Sequence, residues 1–225
     1  MGVRKITPII ESGVFTFYKC ISDSEKFIAK TLSPDYRIEK NYSILEIEFE
    51  RLSEIRHPNI LCTSEFTEIP ELGKCIIMEG FNVEPLEDIL QDHLTPKLLT
   101  NIQYNLIDTI AFLQENDIPH KLEYNNLMID RESGILKIII TDSTDEQPEK
   151  NDIMFFGTIL RLVLKKIPGK NNRLNKIADN CVNGEYQNIG DLQLDLEKYS
   201  SNSIYIPVIL LLSLLIGILY WLNKL

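Results

Sequence analysis

Between Thr95 and Thr141 the chain carries a pattern that few folds accommodate: a long amphipathic helix, a short polar loop, then two strands. Thr95 offers a side-chain oxygen to cap a helix, and Pro96 suits the first helical position, where its missing N–H costs little. Leu98, Ile102, Leu106, Ile110 and Leu113 follow at helical spacing, so one face is apolar and must be covered. The helix delivers the chain to Ile118-Pro119-His120-Lys121-Leu122-Glu123-Tyr124-Asn125-Asn126-Leu127-Met128-Ile129-Asp130, and a β-rich run follows from Ile135 to Thr141.

In this loop the sequence resembles the catalytic loop of protein kinases, H-R-D-L-x-x-x-N followed by apolar residues. His120 matches the His, Lys121 stands in the Arg place, and Asn126 with Leu127-Met128-Ile129 matches the Asn and its strand. From His120 to Asn126 the chain is one residue short, and no Asp is present. In the family that Asp accepts the proton of the substrate hydroxyl, and the Asn holds a Mg²⁺. The resemblance therefore implies a loop kept as architecture and lost as chemistry.

The upstream residues extend the resemblance. Two or three strands are suggested before Lys30, by Ile9-Ile10, Val14 to Tyr18 and Phe27 to Ala29, and Phe27-Ile28-Ala29-Lys30 is similar to the V-A-I-K strand whose Lys pairs the nucleotide phosphates. Of the family's glycine-rich phosphate loop only Gly13 remains, and Glu11 in the first glycine place would repel phosphate. Leu45, Phe49, Leu52 and Ile55 mark an amphipathic helix that should stop at His57-Pro58-Asn59-Ile60, because Pro58 disfavours helix at the residue before it. In this register Glu48 is the partner of Lys30. Cys75 to Phe81 reads as a buried strand ending at a hinge, with Glu79 at the connection between lobes, and Leu86 to Leu90 as a short helix.

Downstream the departures grow. The family expects Asp-Phe-Gly, whose Asp holds Mg²⁺. Thr141-Asp142-Ser143-Thr144 supplies only the Asp, and it lies five residues after Lys137 where the family has three. Either the strand is longer here or Ile140 takes the metal-binding place. Asn151 to Leu160 resembles the kinase helix that opens with Asp, so Asp152 is expected to accept hydrogen bonds from backbone amides of the catalytic loop. Asp152 to Ile167 is apolar on nearly all faces and is predicted to be a buried central helix ended by Pro168-Gly169. The nine residues between Asp142 and Asp152 leave no room for an activation segment or a substrate platform. Leu174, Ile177 and Cys181, then Ile189 to Leu196, mark two last helices.

A net charge of -10 disfavours nucleic acid, whose phosphates would be repelled. Cys20, Cys62, Cys75 and Cys181 show no metal-ligand spacing and fit buried thiols in a reducing compartment. Charges interrupt the N-terminus too early for a signal peptide, and Ile6 stands where myristoylation needs Ser or Thr. Ile204 to Leu222 holds nineteen residues without a charge, with Tyr205, Tyr220 and Trp221 near its ends. As a helix it would span about 28 Å, the thickness of a bilayer's hydrocarbon core. Only three residues follow it, so the expectation is a tail anchor with the domain in the cytosol, in the endoplasmic reticulum rather than the mitochondrial outer membrane.

The expected fold is α+β: a reduced two-lobed protein-kinase-like fold plus one C-terminal transmembrane helix. Residues 1–81 form a small β-rich lobe, 82–199 a helical lobe, 200–203 a linker and 204–222 the membrane helix. Two functions follow. One is a membrane-tethered inactive kinase homologue that binds a protein partner, with His120, Lys121, Asn126, Gly13, Lys30, Glu48 and Glu79 as vestiges of the site. The other is an active phosphotransferase with a reduced or displaced site. Losing a general base costs roughly 10²–10⁴ in rate, about 3–5 kcal/mol, which favours the first. Residual ATP and Mg²⁺ binding, the metal held by Asn126 and Asp142, is left open by the resemblance.

Overall fold

The computed structural model describes residues 3–23, 25–79, 82–91, 94–141, 148–169 and 171–199. Five antiparallel strands form the first sheet: β1 (Val3–Ser12), β2 (Phe15–Ser22), β3 (Lys26–Leu32), β4 (Thr63–Ile69) and β5 (Gly73–Met78), in the order β1-β2-β3-β5-β4. β1 and β2 meet at a tight turn where Gly13 has φ +59, in the left-handed region that glycine occupies without penalty. Helix α1 (Tyr42–Leu52) lies against this sheet and buries Tyr42, Leu45, Glu48 and Leu52.

α1 ends at Leu52, before the predicted stop at His57. The Arg56 guanidinium donates to the carbonyls of Ser53 and Ile55, and the Ser53 hydroxyl donates to that of Glu50. After Leu52 the Ile55 amide reaches only three residues back, to the Leu52 carbonyl, and the chain leaves the α-helical pattern to carry Ile55 to the neighbouring core. Strand β4 was not predicted at all. Its sequence, Thr-Ser-Glu-Phe-Thr-Glu-Ile, is mostly polar because it is the edge of the sheet and faces water along one side.

A second sheet of three strands, β6 (Val83–Pro85), β7 (Leu127–Asp130) and β8 (Leu136–Ile138), sits with the helices. Helix α2 (Leu86–Ile89) follows β6 at once. Helix α3 (Pro96–Glu115) begins as expected, with the Thr95 hydroxyl accepting from the Leu98 amide at 3.2 Å. Ile102, Leu106, Ile110 and Leu113 are buried along it, each side chain contributing about 1.5–3 kcal/mol over exposure. Helix α4 (Pro148–Leu164), α5 (Asn172–Val182) and α6 (189–199) complete this half, whose core joins Leu106, Phe156, Leu160, Leu174, Cys181 and Leu196. α4 and α5 approach closely at Gly157, where an added Cβ would lie 2.5 Å from the Cys181 Cβ.

α4 corrects two expectations. It starts at Pro148, so Asp152 lies in its second turn rather than at its opening. Nor is it apolar all round. Met154 is 39% exposed and Thr158 is exposed, because α3 and α5 cover only part of its surface among the described residues. No described helix is long and apolar enough to cross a membrane, and Ile204–Leu222 lies outside the described residues.

Candidate functional site

The two halves are stitched by the His57-Pro58-Asn59-Ile60 turn. Ile138 donates its amide to the Asn59 carbonyl at 2.7 Å, Leu61 donates to the Ile138 carbonyl at 2.9 Å, and the Asn59 side chain donates to the Leu136 carbonyl. His57 stacks on Phe112 of α3 and reaches Asp108 at 3.3 Å. Burial lowers the His57 pKa, against the pull of Asp108. These bonds fix the height of the upper sheet over β7 and β8, where the candidate site lies.

Lys30 on β3 and Glu48 on α1 form an ion pair of 2.5 Å, with side-chain exposures of 1% and 5%. Eighteen residues separate them in sequence, and packing of α1 on the sheet brings them together. The Lys30 ammonium also sits 4.1 Å from the centre of the Phe15 ring and 5.5 Å from that of Phe17. Glu48 Oε1 is buried without a hydrogen-bond partner among the described residues.

Below, His120 is buried and both its ring nitrogens face acceptors. Nδ1 donates to the Ile118 carbonyl at 2.7 Å, and Nε2 lies 3.0 Å from Asp152 Oδ2. Burial opposes protonation of the ring, but the hydrogen bond and charge of Asp152, with the Ile118 carbonyl, outweigh it and hold the pKa above the ordinary 6.5. Gln114 Nε2 donates to the same Asp152 oxygen at 2.8 Å. The described bonds to Asp152 thus come from two side chains, not from the loop amides expected. With the carboxylate a turn inside α4, its oxygen meets the last turn of α3 and the His120 ring instead.

Lys121 is exposed and pairs with Glu123 at 2.7 Å, while its amide donates to the Thr141 carbonyl. Glu123, the one acid of the loop, uses its other oxygen to accept from the Ser12 hydroxyl at 3.0 Å. The Lys121 hydrogen bond, with a smaller part from Ser12, outweighs burial and holds the Glu123 carboxyl below its ordinary value. Asn126 is fully buried, and neither amide atom has a hydrogen-bond partner among the described residues. Gly13 is exposed at its turn, and Glu79 is exposed with its amide bonded to the Cys62 carbonyl.

Asp142 lies outside the described residues, as do Gly80 and Phe81 of the expected hinge. β8 ends at Ile138, and the Ile139 amide donates to the Asn126 carbonyl. Ile140 comes next, 2% exposed in an apolar cluster with Leu52, Ile60 and Leu113. Among the described residues no cluster of three or more His, Cys, Asp or Glu side chains could hold a metal ion. Burial pushes the Cys20 and Cys181 thiols up to about 12 and that of Cys75 to about 11, so these three are inert packing groups.

Sequence reasoning paired Lys30 with Glu48 but missed Ser12, Phe15 and Gln114. Ser12 and Phe15 flank Gly13, and their polar and aromatic character in a turn that should approach phosphate was the available signal. Nothing in the sequence ties Gln114 to Asp152, 38 positions on.

No curated protein matches the chain. The sequence pattern that defines the protein kinase domain matches residues 9–154, more than half of its length and a span that includes the Lys30–Glu48 and His120–Asp152 pairs. The chain belongs to the protein kinase family.

Proposed function

We propose that this protein is a catalytically inactive protein kinase homologue that acts by binding a protein partner while tethered to a membrane through Ile204–Leu222. The observation that carries the reading is the state of the loop after His120. It lacks the base, and its one acid, Glu123, has both oxygens engaged, by Lys121 and by Ser12. Phosphoryl transfer depends on positioned charge and a positioned nucleophile. Without a free carboxylate facing the acceptor hydroxyl, and with nine residues where a peptide platform would stand, neither requirement is met.

One observation favours the competing reading of an active phosphotransferase. The Lys30–Glu48 pair is formed, as active kinases require. The pair is also explained by burial, since each charge needs the other in a dry site. The test is the full-length chain in mild detergent with labelled ATP, Mg²⁺ or Mn²⁺, and a broad set of peptide and lipid acceptors. No transfer above background is expected. Transfer that disappears with Lys30→Met would overturn the assignment.

The tether rests on length and composition: a charge-free stretch of bilayer span with aromatic residues at both ends. With that stretch as the anchor, the proposed arrangement has the kinase-like domain facing the cytosol at the endoplasmic reticulum. The full chain should resist carbonate extraction from membranes, and a chain ending at Ser203 should not. If the shortened chain stays in the membrane fraction, the anchor lies elsewhere.

A further inference from the structure

The missing base says nothing about nucleotide binding, since a protein can hold ATP without transferring phosphate. The packing between the lobes does address it. In the family the β3 lysine meets the nucleotide phosphates under the glycine-rich turn, so ATP must enter between the upper sheet and the β7–β8 hairpin. Such a cleft keeps its upper and lower walls apart and wet when empty. Here Phe17 and Ile28 of the upper sheet are 0% exposed, and so are Met128 and Ile139 below. All four belong to one apolar cluster, joined by Ile10, Met78 and Val83, with Phe15 packed at its edge. Interiors of this kind have the density of organic crystals, so among the described residues no slot for a planar base lies between these four side chains, and the cavity between Ile10, Glu11, Pro85, Tyr124 and Asn125 lies outside them.

The phosphate end is closed by different chemistry. The Lys30 side chain is 1% exposed, bonded to Glu48 on one side and covered by the Phe15 ring on the other. An incoming phosphate would have to displace an aromatic ring from a buried cation. The Ser12–Glu123 hydrogen bond then ties the tip of β1 to the loop below, closing the same edge. Glu11, beside it, adds a negative charge on the path of an anion. Asn126 fits the pattern: its amide is fully buried and cannot be reached by a hydrated cation without opening the hairpin.

We infer that the interlobe cleft is a closed apolar core and that the chain binds no Mg²⁺–ATP, with Phe15 and the Ser12–Glu123 bond as its closing elements. The residues present do not fit the nucleotide that the fold implies. The lobes are held together by the protein's own side chains, so the closed shape, and every surface that depends on it, is constant whatever the nucleotide concentration.

The experiment uses the full-length chain in mild detergent and a fluorescent ATP analogue, titrated to about 1 mM with Mg²⁺, with Mn²⁺ and with EDTA. No saturable signal is expected, and unlabelled Mg²⁺–ATP should shift the melting temperature by less than about 1 °C. Saturable binding displaced by unlabelled ATP would overturn the inference while leaving the transfer assay of the inactive reading to stand or fall separately. A second measurement needs no ligand. Under limited acetylation read by mass spectrometry, Lys30 should react at least roughly tenfold more slowly than the half-exposed Lys74, as its burial demands. Equal rates would mean an open cleft. In Phe15→Ala, checked to be folded by its circular dichroism, Lys30 acetylation should rise severalfold, and no change would remove Phe15 from its assigned role.

Discussion

Replacing Asp152 by Ala would withdraw an oxygen that bonds both His120 of the loop and Gln114 of α3. Asp152 is 4% exposed, and its Oδ2 accepts from Gln114 at 2.8 Å and from His120 at 3.0 Å. Each donor left unpaired in the interior costs about 1–3 kcal/mol, and removing one member of a buried charged pair costs about 3–5 kcal/mol in all. For a domain of this size each kcal/mol is worth about 2–4 °C, so the melting temperature should fall by about 6–20 °C. The assay is thermal unfolding by circular dichroism of the full chain in mild detergent, with Asp191→Ala as the exposed control, expected within about 0.5 kcal/mol of wild type. A second readout separates the pair from mere helix capping. By NMR the His120 ring should titrate below its wild-type value in Asp152→Ala, since burial then acts without the carboxylate. Equal melting temperatures for the two variants, or an unmoved His120 titration, would refute the reasoning.

The same histidine sets a pH dependence. Its pKa is raised on folding, so the stability it contributes is fully present below the ordinary 6.5 and is lost as pH rises through the folded value. The melting-temperature gap between wild type and His120→Gln should therefore narrow from about pH 6 to about pH 9, and a widening gap would reverse the assignment. Lys30→Met leaves the buried Glu48 carboxylate without its cation and should cost about 3–5 kcal/mol by denaturant titration, while Lys30→Met with Glu48→Leu should recover most of it. If the double variant is as unstable as the single, the pair is not the cause. Glu123→Gln should change stability by less than about 1 kcal/mol, because its partners are partly exposed, and should leave transfer at background.

What was legible in the sequence follows from how local each signal is. Thr95, Pro96 and the α3 stripe lie within one helix, and their geometry came out as written. Lys30 and Glu48 were found because a family pattern fixes their order, not because anything in either segment points to the other. The α4 reading failed for a physical reason: an apolar run predicts burial only if something covers it, and the shortened helical half leaves Met154 and Thr158 facing solvent. The end of α1 came earlier than the Pro58 rule alone places it, since the Ile55 amide already turns back to the Leu52 carbonyl three residues before it. The cleft was illegible for a deeper reason. Whether Phe15 covers Lys30 depends on how β1 and β2 sit over a hairpin more than a hundred residues away, and the Ser12–Glu123 bond spans 111 positions.

The pattern of what this chain keeps and what it lacks has a physical logic. The kept charges are buried in pairs: Lys30 with Glu48, and His120 with Asp152. A buried pair adds little net stability over apolar residues of the same volume, yet losing one member alone is costly, so each position is held in place by the other. The parts that are absent, a loop carboxylate and the glycines of a turn, sit at surfaces where one change at a time costs little. Glu79 and Gly13 mark the boundary of the rule, since both are exposed and neither depends on a buried charged partner. The charged pairs that survive here are therefore parts that hold each lobe together from within, and their persistence says nothing in favour of catalysis. The filled cleft agrees with that separation. In the proposed inactive reading, Phe15 over Lys30 and Met128 within the apolar cluster lengthen the contact between lobes that the Ile138–Asn59 and Leu61–Ile138 bonds already fix.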